Sequence, residues 1–184
     1  QQIHRPMSQL NSLQYYIACF SSMNCNKRRG QIAPHKAMML LAVMEETAKG
    51  HITNGFVPHN ERMVRAFEAA WKRYVGESHL FNAAFATPFF HLASEPFWSL
   101  MRSNNYVPKE EYSLRALRES FFGAKLPDDL ATYMTDATCR HHLKRALLDK
   151  YVPNHANADS TPIAAEPAPE YNNPTTTPSV HMAA

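Results

Sequence analysis

The sequence predicts a mainly α-helical, compact domain with one small β-hairpin, followed by a disordered tail rich in Pro, Ala and Thr. Three observations predict it. Apolar residues recur at spacings of three and four along several stretches, residues that start or stop helices stand at their ends, and one aromatic segment is broken by the turn-forming run Arg102-Ser103-Asn104-Asn105. Residues 7–20, MSQLNSLQYYIACF, put Leu10, Leu13, Ile17 and Phe20 on one helical stripe. The polar stretch after it is expected to be a loop that carries Lys27, Arg28 and Arg29 beside Gly30. A second helix is expected over about residues 34–49, because Pro34 suits a first helical turn and Gly50 a C-terminal cap. Its apolar run from Ala37 to Met44 marks it as the central buried helix.

Residues 60–75, NERMVRAFEAAWKRYV, give a third helix capped by Asn60 and burying Met63, Val64, Phe67 and Trp71. Beyond Gly76 the pattern turns to aromatic loops, in which PFWSLM and YVP are expected to pair as a hairpin about RSNN. Helical periodicity returns over residues 111–121 and about 127–150. In the second of these, Asp128 and Asp129 stand in a first turn and Lys144, Arg145 and Lys150 near a last one, as the helix dipole favours.

From Pro153 to Ala184 there is no Lys or Arg, and Tyr171 is the sole aromatic. Such a segment cannot bury enough apolar surface to offset its chain entropy. The folded domain is therefore assigned to residues 1–152 and the linker or tail to 153–184. All 19 Lys and Arg lie in the domain, against 13 of the 16 carboxylates, so the domain carries a formal charge of +6. A basic domain favours an anionic partner. No apolar run approaches the roughly 18 residues that span a bilayer, and no secretory signal pattern opens the chain, so a soluble, cytoplasmic protein is expected. The three cysteines, Cys19, Cys25 and Cys139, lack CxxC spacing and are expected as free thiols.

Two segments stand out as sites. Lys27, Arg28 and Arg29 precede Pro34, His35 and Lys36 at the start of the second helix. Stability favours Asp or Glu at a helix N-terminus, so a His-Lys pair there points instead to an anion such as a phosphate diester. The second is ATPFFHLASEPFW, residues 86–98. Most of its aromatics are expected in the core, while Thr87, Pro88 and His91 are expected on a proline-stiffened loop that offers a small apolar concavity. The same aromatic loop supports the alternative of a protein-interaction module. The chain has no GxSxG, GxGxxG, P-loop or HExxH motif, and the adjacent His141 and His142 lack the i, i+4 spacing of shared metal ligands. No catalytic residue, metal or cofactor is assigned. The paired carboxylates Glu45-Glu46 and Glu110-Glu111 are read as solvated helix charges.

The blocks APHKAMMLLAVMEETAKG, FEAAWKRYV, TPFFHLASEPFWSL, SLRALRESFFGAKLPDDLATYMTD and CRHHLKRALLDKYV occur in that order over residues 12–152. Together they resemble the sulfur-binding domain at the N-terminus of many bacterial HNH restriction endonucleases, a helical module that recognises phosphorothioate-modified DNA. The resemblance implies double-stranded DNA as the partner and an HNH nuclease domain beyond a linker; residues 99–152 show no HNH motif of their own. It also implies that His35 and Lys36 contact the DNA backbone near the modified phosphate, with Thr87, Pro88 and His91 at the sulfur. Members that bind sulfur often have an aromatic at the Thr87 position and a small residue at the His91 position. The implied ligand is therefore a phosphorothioate, another modification or plain duplex. Arg102, with Ser103, Asn104 and Asn105 on the turn, is a candidate base reader.

Overall fold

The computed structural model describes residues 10–104, 106–107, 112–153 and 155. The expected helix start at residues 7–9, Asn105, Pro108, the Glu110-Glu111 pair and nearly all of the tail lie outside the described residues. Within them the chain is mainly helical, with seven α-helices, a two-stranded ribbon and a three-stranded antiparallel sheet.

Helix α1 (Leu13–Ser21) begins where Ser12 accepts the backbone N–H of Tyr15, and it buries Tyr16 and Phe20. The basic segment expected as a loop is instead a hairpin, β1 (Lys27–Arg28) against β2 (Gln31–Ile32). Arg29 and Gly30 both adopt positive φ, +49° and +78°, and two such residues make the turn whose twist matches paired strands. Helix α2 (His35–Ala48) is buried continuously from Lys36 to Met44 and packs against α3, α4, α6 and α7, so it is the central helix that its apolar run predicts. Glu46, expected as a solvated charge, is buried as well. Its carboxylate accepts from Nδ1 of His51 at 2.8 Å and ties down the loop that follows the helix.

Strand β3 (Phe56–Val57) leads into α3 (Glu61–Tyr74), which Asn60 caps by accepting the Met63 N–H. Helix α3 buries Met63, Phe67 and Trp71 at spacings of four, with Val64 half-buried at the edge of the stripe. Residues 86–91, expected as a loop, form a short helix α4 (Ala86–His91) that continues into a single 3-10 turn, Leu92–Ser94. Phe89, Phe97 and Trp98 of this segment are core, as their types suggest, and Phe90 is half-buried against the core. Phe85, Phe89 and Trp98 stack in sequence at ring separations of 5.4 and 5.1 Å, and the Trp98 indole donates to the Phe89 carbonyl.

Strand β4 (Ser99–Arg102) does not pair with the YVP segment. Its partner is β5 (Phe121–Lys125), and the sheet order is β3-β5-β4. In this register Val57, Ala124 and Leu100 stand side by side across the sheet, Val57 and Ala124 buried and Leu100 packed against the core. The segment expected as helix over 111–121 divides accordingly into α5 (Leu114–Ser120), capped by Ser113, and β5. Likewise 127–150 is two helices, α6 (Asp128–Thr135) and α7 (Ala137–Tyr151). Asp136 breaks the run with extended backbone and accepts the Cys139 N–H, so the end of one helix is the cap of the next. Lys150 then lies in the last turn of α7, with Lys144 and Arg145 further inside it.

At the end of α7 the Tyr151 hydroxyl donates to the Phe20 carbonyl at 2.7 Å and accepts the Met23 N–H. Burial pushes that phenol up to about 12. This tie closes α7 onto α1 and anchors the chain that leads into β1. All three cysteines are free thiols. Among the described residues, no helix is long and apolar enough to cross a membrane.

Candidate functional site

A cavity of about 450 Å³ opens between the β1–β2 hairpin, the first turn of α2, the loop at Phe81 and Asn82, and α4. Arg28, His35, Lys36, Thr87, Pro88 and His91, singled out in three separate stretches of sequence, all line it. Lys27 and Arg29 are exposed on the same hairpin but do not line the cavity. Arg102 is also outside it, on β4, with its guanidinium 4.4 Å from the Tyr106 ring centroid. Tyr106 packs on Phe121, and Phe121 on Phe90, so an aromatic series links Arg102 to the outer side of α4.

His35 is held on three sides. Its ring lies 4.8 Å from Trp71 and 5.9 Å from Phe81, and Nε2 sits 2.9 Å from the Asn82 carbonyl oxygen. A carbonyl only accepts, so Nε2 carries the proton and Nδ1 is the free acceptor of the neutral ring. Burial holds the pKa of His35 below the ordinary histidine value, and Arg28 pushes it the same way. The unfolded chain therefore binds the extra proton first, at about pH 6.5, and stability rises with pH across the window between the lowered value and about 6.5. Unfolding free energies measured from pH 7.5 down to 5.5 will fall more steeply for the native sequence than for His35→Gln.

Arg28 donates from Nη1 to the Leu80 carbonyl at 3.0 Å, and its guanidinium stands 5.9 Å from the Phe81 ring centroid. The exposed remainder of its planar fork is available to an anion. Lys36 is different. Its side chain is 8% exposed, and its ammonium reaches Glu95 Oε1 at 2.7 Å, the Asn24 carbonyl at 2.6 Å and Ser94 Oγ at 3.1 Å. All three of its protons are engaged by the protein, so Lys36 borders the cavity as one half of an ion pair rather than as an unpaired cation.

On the opposite wall, Pro88 is buried in the first turn of α4, where its missing N–H costs no helical bond. Thr87 is half-buried beside it. His91 is exposed at the end of the helix with its ring 4.7 Å from Tyr112, and its carbonyl accepts from Ser94. These three residues sit on a helix, not on the expected loop. The rings of Phe89, Phe97 and Trp98 are 0–3% exposed, so they offer no aromatic surface to a partner protein.

Sequence reasoning gave no place at the site to Glu95, Asn82, Phe81 or to Trp71, which it read as core alone; these neutralise, orient or support the residues that it found. Glu95 had a signal, since a lone carboxylate in the aromatic run LASEPFW requires a partner when that run is buried. Asn82 contributes only its backbone carbonyl, which side-chain identity does not reveal. A second groove of about 470 Å³, between α2, α3 and α7, is lined by Glu45, His141 and Lys144 among others and contains none of the candidate DNA- or sulfur-contacting residues. The chain matches no protein-family model and no curated protein.

Proposed function

We propose that this chain is the DNA-binding specificity module of a modification-dependent restriction system of the HNH type. In this reading it acts on cytoplasmic duplex DNA and receives one backbone phosphate, in its phosphorothioate form, in the cavity at the start of α2. The observation that carries the reading is the convergence of Arg28, His35, Lys36, Thr87, Pro88 and His91 on one cavity, although they are up to 63 positions apart in the sequence. A cationic rim then faces an apolar wall. A phosphate diester meets the rim with a single diffuse charge, and a sulfur in place of one non-bridging oxygen is larger and more weakly hydrated, so it loses less on facing Pro88.

The N-terminus of α2 adds to this. Pro34 supplies no side-chain cap to the first N–H groups of the helix, and His35 and Lys36 of that same turn line the cavity. Lys27 and Arg29, on the hairpin beside Arg28, extend the basic surface along a duplex. Arg102 serves as a contact on the far side of α4. Phosphate contacts of this kind fix register without reading sequence. Hydrolysis is assigned to a separate HNH domain, and no catalytic role to this chain.

Gel-shift titrations across a range of salt concentrations test the reading. Duplexes carrying one phosphorothioate will bind more tightly than identical plain duplexes, and both complexes will weaken as salt rises. Arg28→Ala will weaken both and reduce the salt slope by about one. Equal affinity for modified and plain duplex rejects recognition of sulfur, and no binding at low salt rejects the DNA reading altogether.

A further inference from the structure

Lys36 and Glu95 form a buried ion pair at the back of the cavity, each side chain 8% exposed. Lys36 comes from the first turn of α2, and Glu95 is the residue that closes the 3-10 turn after α4. Glu95 Oε1 also accepts the Asn24 N–H at 2.9 Å, so the pair ties α2, the end of α4 and the chain before β1 to one point. Stability alone does not account for charges here, because well-packed apolar residues in place of a buried ion pair are often as stable or more so. Its position against the cavity does give it a use.

With histidines counted neutral, the charged side chains that line the cavity are Arg28, one positive charge, and Lys36, whose charge is cancelled by its partner Glu95. We infer that Glu95 determines the charge class of ligand: while it neutralises Lys36 the cavity offers one net positive charge, which matches the single negative charge of a phosphodiester or phosphorothioate diester. A phosphate or thiophosphate monoester, doubly charged at pH 8, is left half-compensated in the same space. The cavity therefore selects linkages inside a strand over phosphates at its ends. This inference rests on reading the cavity as a phosphate site. Glu95 acts through Lys36, as a positioning and charge-balancing residue that need not touch the ligand.

The test is displacement of a labelled phosphorothioate duplex at pH 8 by two small competitors, dimethyl thiophosphate with one charge and monomethyl thiophosphate with two. The native protein will release the duplex at a lower concentration of the dimethyl ester. In Glu95→Gln, which keeps a hydrogen-bond acceptor for Lys36 but removes the negative charge, the ratio will move at least about tenfold toward the monomethyl ester, because its one extra unit of charge then meets one further unit of charge in the site. Lys36→Met with Glu95→Gln returns the net charge to one and will keep the native order of preference, whatever its absolute affinity. A ratio unchanged in Glu95→Gln overturns the inference while leaving DNA binding intact. A double variant that behaves like Glu95→Gln also overturns it, since the effect would then follow the side chain and not the charge. If Glu95→Gln does not fold, the double variant decides alone: loss of the native order overturns the inference. A native protein whose duplex neither ester displaces removes the phosphate reading of the cavity, and the inference with it.

Discussion

Lys36→Ala will lose about 3–5 kcal/mol of unfolding free energy, because it leaves the Glu95 carboxylate buried without its cation. Alanine also removes the donor to Asn24 O and Ser94 Oγ and opens a gap in the first turn of α2. A urea titration followed by circular dichroism will show the midpoint falling with little change in slope. Lys36→Met combined with Glu95→Gln will recover most of the loss, since neither residue then carries a buried charge. If Lys36→Ala alone costs less than about 1 kcal/mol, water reaches the carboxylate and the ion pair is not sealed as described. Any fall in DNA affinity for Lys36→Ala must therefore be compared with that of Arg28→Ala, whose side chain is exposed and whose loss leaves no buried carboxylate without its cation.

Gly123→Ala will cost about 2–4 kcal/mol, from overpacking and backbone strain together. Gly123 occupies the central strand of the three-stranded sheet with φ +157°. A Cβ there would stand 2.5 Å from the Val57 carbonyl oxygen and 2.9 Å from Cζ of Phe56, so β3 would have to move off β5. Phe56 lies over that glycine, and its ring can swing aside, but the carbonyl is backbone and cannot. Thermal unfolding of Gly123→Ala beside the native chain measures the cost, and an unchanged melting temperature would mean that β3 is not held against β5. Through β5 the displacement also reaches Phe121, which packs on Phe90 one residue before His91.

The long helices were legible because their signals are local. Asn60 with its stripe of Met63, Phe67 and Trp71, and Pro34 ahead of an unbroken apolar run, carry start signal and burial pattern in one stretch. The strands were not. Two-residue strands such as β1 and β3 are too short for any periodicity, and β4 chose a partner about twenty residues away over the segment just beyond its turn. The break at Asp136 was hidden for a related reason, since helical periodicity on both sides of a capping residue reads as one helix. In the candidate site, unusual residue types were visible as such: a His-Lys pair at a helix start, and a proline among aromatics. Their mutual placement was not, because Lys36 meets Glu95 across 59 positions and His35 meets a backbone carbonyl across 47. The sequence pattern therefore suggested an unpaired lysine where the fold contains a neutralised one.

The cavity's walls come from four stretches of chain that are neighbours only once α2, α3 and α4 have packed. The unfolded chain consequently has no version of this site, weak or otherwise. Occupancy and folding are then linked equilibria, and a ligand at about one hundred times its dissociation constant adds about 2.7 kcal/mol to the stability of the whole domain. A protein assembled this way reports its own ligand as resistance to heat, so a screen of candidate anions by melting temperature requires neither a label nor a known activity.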